Sequence, residues 1–186
     1  PLTKSLFACA SGNVFVSPLH GDVCGKFLGF DIPNQFHLRP IVDTSLFYNL
    51  GIKEDNKLYK YVYAGTISHE KGYSNIVRHL KSLRVPPRDM FWFGNNLTGN
   101  IYLYGNYMGT ARYEDMPLIL NNAVHFIHLP LWWEPASRVV AEACLCGCKI
   151  IANEKVGVMS FGFDLSDSIN YVDIEKDFLN FVETKL

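Results

Sequence analysis

Two carboxylates stand eight positions apart, at Glu134 and Glu142, in a segment whose pattern could support chemistry. The sequence from Leu129 to Asn153 is typical of a strand, a loop, a helix, a glycine and a second strand, with Glu134 in the loop. Ser137 is the predicted N-cap of that helix, and Glu142 lies about a turn and a half into it. Because five helical residues advance ~7.5 Å, the carboxylates are expected on the order of 10 Å apart, with the positive end of the helix between them.

This arrangement suits a long ligand that carries hydroxyl groups at both ends and phosphate between them. A nucleotide diphosphate-sugar has that order: ribose hydroxyls for one carboxylate, a diphosphate for the helix N-terminus, and sugar hydroxyls for the other carboxylate. The spacing alone carries little weight, because Glu175 and Glu183 have the same separation. That second pair lies in a predicted amphipathic helix, without a preceding strand or a following glycine, and is interpreted as a solvated helix face.

The elements that must position these residues are short apolar strands that alternate with helices of about ten residues. Strands are predicted at residues 13–19, 58–64, 90–93, 101–104, 124–129 and 149–152, and helices at residues 21–30, 73–83, 113–122, 137–146 and 174–184. Residues 35–57 are predicted to form an irregular connection. The alternation predicts an α/β fold: a Rossmann-like, mostly parallel sheet with helices on both faces, which binds ligands at the carboxyl ends of its strands.

The composition of the 186-residue chain removes several classes of function. Its 17 Lys and Arg residues nearly balance 18 Asp and Glu residues, so the basic charge of a nucleic-acid binder is missing and no nucleic-acid partner is expected. No apolar run reaches the ~18 residues of a membrane span, and the first residues do not resemble a signal peptide. Charged residues make up 19% of the chain, below the usual ~25%, which indicates a large core or an apolar surface that meets a partner.

The cysteines and histidines give little sign of a metal or catalytic centre. The five cysteines are expected to be free thiols in a reducing compartment, which favours a cytoplasmic location. Cys144, Cys146 and Cys148 alternate near a helix end without a CxxC motif or a histidine set, so they are interpreted as packing residues and no metal site is predicted. His125 and His128 face opposite sides of a predicted strand and are interpreted as core or edge residues. The sequence also lacks the motifs G-x-S-x-G, HExxH and Walker A.

The pattern of Glu134, seven intervening residues and Glu142, followed by a glycine and a β-branched strand, resembles the signature of the family 4 glycosyltransferases, which are retaining enzymes with a GT-B fold. Two other stretches are similar to that family. Residues 63–80 resemble its strand-loop-helix with a Lys-Gly motif, and residues 39–47 resemble the linker that enters its second domain. The order and the separations of these pieces agree over about residues 36–186.

The resemblance implies a division of the chain into two parts. Residues 1–35 are expected to be a remnant of an N-terminal acceptor-binding domain with its linker, and residues 36–186 the C-terminal, nucleotide-sugar donor-binding domain. The implied partners are a nucleotide-sugar donor, a glycan, lipid or small-molecule acceptor, and the missing N-terminal domain, through which the protein could also be peripheral to a membrane. The resemblance implies no metal and no cofactor.

The same resemblance gives roles to three residues of this chain. The lysine of the family's Lys-Gly motif contacts the donor phosphates, and Lys71 occupies that place. Its compact charge could stabilise a departing diphosphate. Glu134 is expected near the donor sugar and Glu142 on the ribose hydroxyls, so Lys71 and Glu134 are the predicted catalytic residues.

On the phosphate side, the chain departs from the family at one position. Gly65 and Thr66, at the end of a predicted strand, are predicted donor-binding residues by the same resemblance, but the family usually has an arginine in the place of Thr66. One positive charge on the diphosphate is therefore missing. Arg138, at the start of the following helix, either compensates for it or only covers a surface patch.

The predicted contacts to the sugar and the base are less regular. The family has a glycine-containing stretch after the first glutamate, whereas this chain has Pro135, Ala136 and Ser137, and Pro135 lacks the N–H that could reach a sugar hydroxyl. Ala136 and Ser137 remain predicted donor-binding residues. Tyr107 lies in the predicted loop where the family holds the nucleobase, and it either stacks on the base or packs against the protein.

These observations favour the donor-binding part of a retaining glycosyltransferase, which transfers a sugar from a nucleotide diphosphate-sugar to an acceptor hydroxyl. The alternative is a non-catalytic half-domain that binds a nucleotide or a partner. Thr66, Pro135 and the missing half favour the alternative, while the joint presence of Lys71, Glu134 and Glu142 argues against it. A sugar-nucleotide epimerase or a phosphorylase of the same architecture is a weaker option, because the histidine or cofactor-lysine features that it needs are not found.

Overall fold

A computed structural model describes residues 2–185 of the chain. Its helices are α1 (Leu2–Cys9), α2 (Pro18–Leu28), α3 (Tyr73–Ser82), α4 (Met116–Asn121), α5 (Arg138–Leu145) and α6 (Ile174–Glu183). Its strands are β1 (Asn13–Phe15), β2 (Gln35–His37), β3 (Tyr59–Ala64), β4 (Met90–Phe93), β5 (Asn106–Gly109), β6 (Ala123–His128) and β7 (Lys149–Ala152). Short 3₁₀ turns occur at Glu54–Asn56, Pro87–Asp89, Tyr113–Asp115, Gly157–Phe161 and Ser168–Tyr171.

The larger sheet has five parallel strands in the order β5-β4-β3-β6-β7. The chain enters at the central strand β3, moves to one edge, and then crosses to β6 and the other edge. The order therefore reverses between β3 and β6, and in open α/β sheets ligands bind in the crevice outside the carboxyl ends of the strands at such a point. The predicted fold, a Rossmann-like parallel sheet with helices on both faces, is confirmed.

Side chains from alternate positions of the strands build one hydrophobic core on each face of this sheet. Val62 and Phe126 point into the core that contains α5, while Tyr63 and Ile127 point into the core that contains α3. Each large apolar side chain buried in this way contributes about 1.5–3 kcal/mol. Because both faces of β3 and β6 are packed, the ends of these two strands are firmly placed.

The small sheet pairs β1 with β2 in parallel and carries α2 beside it. Ser17 caps α2 by accepting a hydrogen bond from the amide of His20 at 3.1 Å, and Pro18 occupies the first turn, where no N–H is needed. The Ser17 hydroxyl also donates to the carbonyl oxygen of Pro135 at 2.5 Å. The small sheet is thereby connected to the loop that follows β6.

Several element boundaries differ from the sequence predictions. The strand predicted at residues 101–104 is wrong: Ile101 and Tyr102 are about nine-tenths exposed, and the strand beside β4 begins at Asn106. The turn at Gly105 sets the register of this strand. Just before the turn, the carbonyl oxygen of Tyr104 accepts a hydrogen bond from the Trp92 indole at 2.8 Å. Strand β2 lies inside the predicted irregular connection, because a three-residue strand is too short to show an alternating pattern.

The cysteine predictions agree with the packing of the described residues. All five thiols are free, Cys146 and Cys148 are buried, and burial raises the pKa of Cys144, Cys146 and Cys148 to about 12. They pack in the core beside α5 and are poor nucleophiles at neutral pH. None of the helices within residues 2–185 combines the length and the apolar character needed to cross a bilayer.

Candidate functional site

The candidate site lies where the carboxyl ends of β3 and β6 meet, at the reversal of the strand order. Gly65 and Gly94 end β3 and β4 with positive φ angles of 138° and 135°. A Cβ atom on Gly94 would fall 1.8 Å from the carbonyl oxygen of Gly65, so the two turns approach backbone to backbone and only glycine fits there. Backbone atoms of these two turns therefore line one side of the site.

Glu134 is the centre of a polar cluster at the end of β6. Its Oε1 is paired with the Lys71 ammonium group. Its Oε2 lies 3.0 Å from Nε2 of His128 and accepts a hydrogen bond of 2.7 Å from the Ser137 hydroxyl. The structure therefore brings the two predicted catalytic residues, Lys71 and Glu134, into direct contact.

The electrostatics of this cluster keep Glu134 ionised. Burial favours the neutral acid, but hydrogen bonds from His128, Lys71 and Ser137 outweigh it and lower the pKa of Glu134 to about 2. The Glu134 side chain is 13% exposed, whereas that of Lys71 is 45% exposed. At neutral pH the cluster thus presents a fixed carboxylate and a cation that reaches solvent.

The loop after β3 places Lys71 by backbone contacts. The Ser68 hydroxyl accepts from the Lys71 amide at 3.2 Å and donates to the Glu70 carboxylate at 2.9 Å. Gly72 has a φ of 88°, and a Cβ atom there would lie 1.9 Å from the carbonyl oxygen of Leu129. The glycine of the Lys-Gly motif therefore lets the loop press against the start of the loop that follows β6.

The residues that follow Glu134 are held by their carbonyl groups. The carbonyl oxygens of residues 134–136 accept hydrogen bonds from the Gly157 amide at 2.8 Å, the Ser17 hydroxyl at 2.5 Å and the Val158 amide at 3.0 Å. Pro135 and Ala136 thus lie in a rigid loop. Ala136 is held in place there through its carbonyl group.

Ser137 occupies the predicted N-cap position of α5 but does not cap it. It has a φ of 57° and a ψ of 57°, a left-handed conformation that is uncommon outside glycine, and its hydroxyl donates to Glu134 instead. No residue in the described part of the chain accepts from the amides of Arg138 and Val139 at the start of this helix. These amides and the helix dipole are open to an anion.

A second polar cluster surrounds Glu142, which is 3% exposed. The Arg138 Nε lies 3.0 Å from its Oε1, and the Tyr113 hydroxyl donates to the same oxygen at 3.3 Å. The Arg138 guanidinium also lies over the Tyr113 ring, 5.5 Å from the ring centroid. Burial raises the pKa of Glu142, although Arg138 and Tyr113 act in the opposite direction.

The Glu142 cluster borders a pocket of about 480 Å³ at the carboxyl ends of β3 and β4. Four of the predicted donor-binding residues line it: Gly65, Thr66, Arg138 and Glu142. The side chain of Thr66 adds no charge, as expected. A larger groove of about 840 Å³ runs between residues 38–41 and α6, and none of the predicted site residues lines it.

Two of the individual residue predictions need correction. Tyr107 is not in a loop: it lies on β5 opposite Trp92, is half exposed, and is not among the residues that line the pocket. Its contact with a base therefore stays a prediction without support from the pocket. His128 is more than a packing residue, because it is buried and hydrogen-bonded to Glu134. The available signal was its place as the last residue of β6, at the end of the sheet where ligands bind.

No group of three or more histidine, cysteine, aspartate or glutamate side chains is placed to hold a metal ion within residues 2–185.

Comparison with known proteins finds the same fold in solved glycosyltransferases. The structure of HepE from Anabaena in complex with UDP and glucose matches with a TM-score of 0.63 and 17% identity, over 97% of this chain and 58% of that one. Sucrose-phosphate synthase from Thermosynechococcus elongatus gives a TM-score of 0.63 and 16% identity, over 96% and 51%. A glycosyltransferase from Rickettsia africae gives 0.65 and 11%, over 99% and 61%. No protein-family model and no curated protein matches the sequence.

These identities are low, so the likeness establishes the fold and nothing finer. The chain spans between 51% and 61% of the length of the three proteins described. It corresponds to a part of each of them, whereas nearly all of its own length is matched.

Proposed function

We propose that the chain is the donor-binding half of a GT-B glycosyltransferase, which transfers a sugar from a nucleotide diphosphate-sugar to an acceptor hydroxyl with retention of the anomeric configuration. The observation that carries the proposal is the order of groups at the switch point: Lys71 with Glu134, then the open N-terminus of α5, then Arg138 with Glu142. The fold shared with HepE, whose structure contains UDP and glucose, supports the same class of ligand. Retention, and a reaction without metal or cofactor, are proposed on the resemblance of the Glu134–Glu142 segment.

The pocket beside Glu142 is assigned to the nucleoside. Both described contacts of this carboxyl group reach Oε1, and no donor within residues 2–185 reaches Oε2. A buried carboxylate with one free oxygen can accept hydrogen bonds from the vicinal hydroxyl groups of a ribose. The pocket of about 480 Å³ has a size suited to a small ligand.

The diphosphate is assigned to the N-terminus of α5. The amides of Arg138 and Val139 and the helix dipole favour an anion there. The Arg138 side chain is 57% exposed and can turn toward a phosphate, which makes it the candidate for the charge that Thr66 does not supply. Lys71 reaches the same region from the loop after β3 and stabilises the diphosphate as it departs.

The donor sugar is assigned to Glu134. Its carboxylate is ionised and held by a rigid loop, so it can accept hydrogen bonds from sugar hydroxyls without a rearrangement of the protein. The acceptor, a glycan, a lipid or a small molecule, is expected to approach from the opposite side of the cleft.

Residues 1–35 are proposed to be the end of the acceptor-binding domain with its linker. Strands β1 and β2 form a two-stranded parallel sheet, and such sheets are ordinarily larger and covered on both faces. Val14, in the middle of β1, is 45% exposed. The small sheet is therefore proposed to continue into further strands of that domain. Its strand β2, Gln35–His37, crosses the predicted boundary between residues 35 and 36.

One observation favours a non-catalytic nucleotide-binding half-domain as the second candidate. Three protein donors already surround the Glu134 carboxylate, so the unliganded cluster has few positions left for a sugar. Thr66 and Pro135 also remove a charge and an N–H that a transferase of this type uses.

Thermal unfolding with nucleotides tests the proposal. UDP, GDP and ADP are added singly at millimolar concentration, and at a hundredfold excess over Kd the bound nucleotide stabilises the fold by about 2.7 kcal/mol. At least one of them is expected to raise the Tm, and Glu142→Ala is expected to abolish the rise. Glu183→Ala is the matched control, because Glu183 is exposed and has the same spacing from another glutamate. No rise with any nucleotide contradicts the donor-site assignment.

A second measurement separates the two candidate functions. The transferase predicts slow hydrolysis of the bound nucleotide-sugar: water replaces the acceptor, the bond between the anomeric carbon and the diphosphate breaks, and free sugar and nucleoside diphosphate are released. Lys71→Met is expected to suppress this release. Binding of the nucleotide with no release that depends on Lys71 favours the non-catalytic half-domain.

A further inference from the structure

His128 is the most deeply buried of the residues that contact Glu134 through a side-chain donor. It ends β6, and its side chain is 4% exposed. Its ring is stacked on Tyr63, with centroids 5.8 Å apart and planes 14° apart, and lies near Phe126 at 6.4 Å. Both neighbours are buried core residues. The ring therefore cannot change its orientation without a disruption of the core.

The hydrogen bonding of the ring defines its role. A carboxylate only accepts hydrogen bonds, so the Nε2 atom, 3.0 Å from Oε2 of Glu134, must carry the proton and donate it. The Nδ1 atom is buried and has no partner among the described residues. The ring therefore has one polar contact direction, toward Glu134 and Ser137.

The three donors on Glu134 differ in how easily they can leave. The Lys71 side chain is 45% exposed and lies on a loop, while the His128 side chain is 4% exposed. A carboxylate has about four acceptor positions, and Lys71, His128 and Ser137 occupy three. Only Lys71 can move away at low cost, toward solvent or toward a phosphate.

We propose that His128 is the positioning residue of the donor-sugar site: it holds the Glu134 carboxylate charged and in one orientation when Lys71 leaves it for the diphosphate of a nucleotide-sugar. This inference rests on the proposed function for the identity of the ligand. The movement of Lys71 frees Oε1 for a sugar hydroxyl, while His128 and Ser137 keep Oε2 fixed. Without His128, the departure of Lys71 leaves a largely buried carboxylate with one remaining donor, which is unfavourable.

The first test needs no ligand. NMR titration of the Glu134 carboxyl carbon compares the wild type with His128→Phe, which keeps the stacked ring and removes the donor. The pKa of Glu134 is expected to rise by about one pH unit or more, because a hydrogen bond to the ionised carboxylate favours that form. His128→Gln and His128→Met form a matched pair of similar size, and only Gln can donate. Gln is expected to retain most of the low pKa and Met to lose it, so this pair carries the test if the Phe variant does not fold.

The second test measures the sugar contact. UDP and UDP-glucose are titrated calorimetrically into each variant, or the nucleotide that raises the Tm and its glucose derivative if that is not UDP. His128→Phe and His128→Met are expected to weaken the binding of the free nucleotide several-fold, because its diphosphate also draws Lys71 from Glu134, and to reduce the added affinity given by the sugar about tenfold. His128→Gln is expected to restore it. His125→Phe, at a partly exposed position of the same strand with its ring 3.3 Å from a backbone carbonyl oxygen, is the control and is expected to change neither.

The outcomes separate this proposal from the proposed function. If no nucleotide binds to the wild type, the proposed function fails, whereas the titration of Glu134 still tests the contact with His128. If His128→Met leaves the pKa of Glu134 and the sugar-dependent affinity unchanged in a folded protein, His128 is only a packing residue and the inference is overturned. Equal behaviour of the Gln and Met variants also overturns it.

Discussion

The chain contains two pairs of glutamates with the same spacing and different surroundings. Glu134 and Glu142 flank the start of α5 at the switch point of the sheet, and both side chains are largely buried against charged or hydroxyl groups. Glu175 and Glu183 lie on α6, and both are exposed.

The strands and loops beside a pair of glutamates, and not the spacing of the pair, decide whether the pair can form a binding site. A parallel strand ends just before Glu134, and β3 brings Lys71 to it from another part of the chain. Within residues 2–185, no strand ends just before Glu175 and no cation is paired with it. A carboxylate in water is already solvated, whereas a buried one must be paired and can then be held in a fixed state.

The largest expected effect comes from removing Lys71, the cation paired with Glu134. Lys71→Met is expected to weaken the binding of a nucleoside diphosphate about tenfold to a hundredfold, because a hydrogen bond between charged groups contributes about 1.5–3 kcal/mol. Calorimetric titration checks this. Lys149→Met, which removes an equally charged partner from the exposed Glu54, is expected to leave the affinity unchanged. An equal loss in both variants would show that the effect is one of overall charge.

The pH dependence of the free energy of unfolding distinguishes the buried Glu134 from the exposed Glu183. The pKa of Glu134 in the folded protein is about 2, below its value in the unfolded chain, so its stabilising contribution is present above about pH 4.5 and is lost as the pH falls toward 2. Between about pH 6 and pH 2.5, the wild type is expected to lose roughly 2–3 kcal/mol more than Glu134→Gln. Urea unfolding at the two pH values measures this.

The same experiment has two internal controls. Glu183→Gln is expected to behave like the wild type. Glu142 has the opposite sign, because its pKa is raised by burial and protonation favours the folded state, so Glu142→Gln is expected to lose no less stability on acidification than the wild type. A Glu134→Gln variant with the acid sensitivity of the wild type would contradict the account of the cluster.

The smallest expected effect comes from Thr66, the uncharged residue that is predicted to lie beside the diphosphate. Thr66→Arg places a cation at the rim of the pocket, where Thr66 is exposed. The affinity for a nucleoside diphosphate is expected to rise several-fold, about 1 kcal/mol, since the new side chain is solvated when free. The same substitution at Thr98, in an exposed part of a different loop, serves as the comparison. If the two variants bind alike, the diphosphate does not lie beside residue 66.

Much of the fold follows from local patterns in the sequence. The strands β3, β4, β6 and β7 are short apolar runs that end at a polar or glycine-containing turn, and α5 lies between a strand and a glycine, so their positions could be predicted within about two residues. β5 could not, because its register depends on where the turn at Gly105 lets the chain reach the edge beside Phe91. The aromatic stretch before it has strand propensity but no strand to pair with.

The site could be predicted in part. Lys71 and Glu134 were expected on one ligand and are found in contact, and Glu142 lies in the pocket with Gly65, Thr66 and Arg138. The prediction that the Ser137 side chain caps α5 was wrong, because the left-handed backbone of Ser137 turns its hydroxyl toward Glu134.

The role of His128 was missed, because periodicity assigns only a face of a strand, whereas the informative signal was its place at the end of β6. The donor roles of all these residues stay predictions.

We expect Glu134 and Glu142 to bind the two ends of one nucleotide-sugar, and Glu175 and Glu183 to bind no part of it. Calorimetric titration of UDP and UDP-glucose, or of the nucleotide selected by thermal unfolding and its sugar derivative, tests it in Glu142→Ala, Glu134→Gln and Glu175→Ala. Glu142→Ala is expected to lose the binding of both ligands, Glu134→Gln to lose only the added affinity given by the sugar, and Glu175→Ala to bind both like the wild type. Equal effects of Glu142→Ala and Glu175→Ala, or unaltered sugar-dependent affinity in Glu134→Gln, would contradict the account.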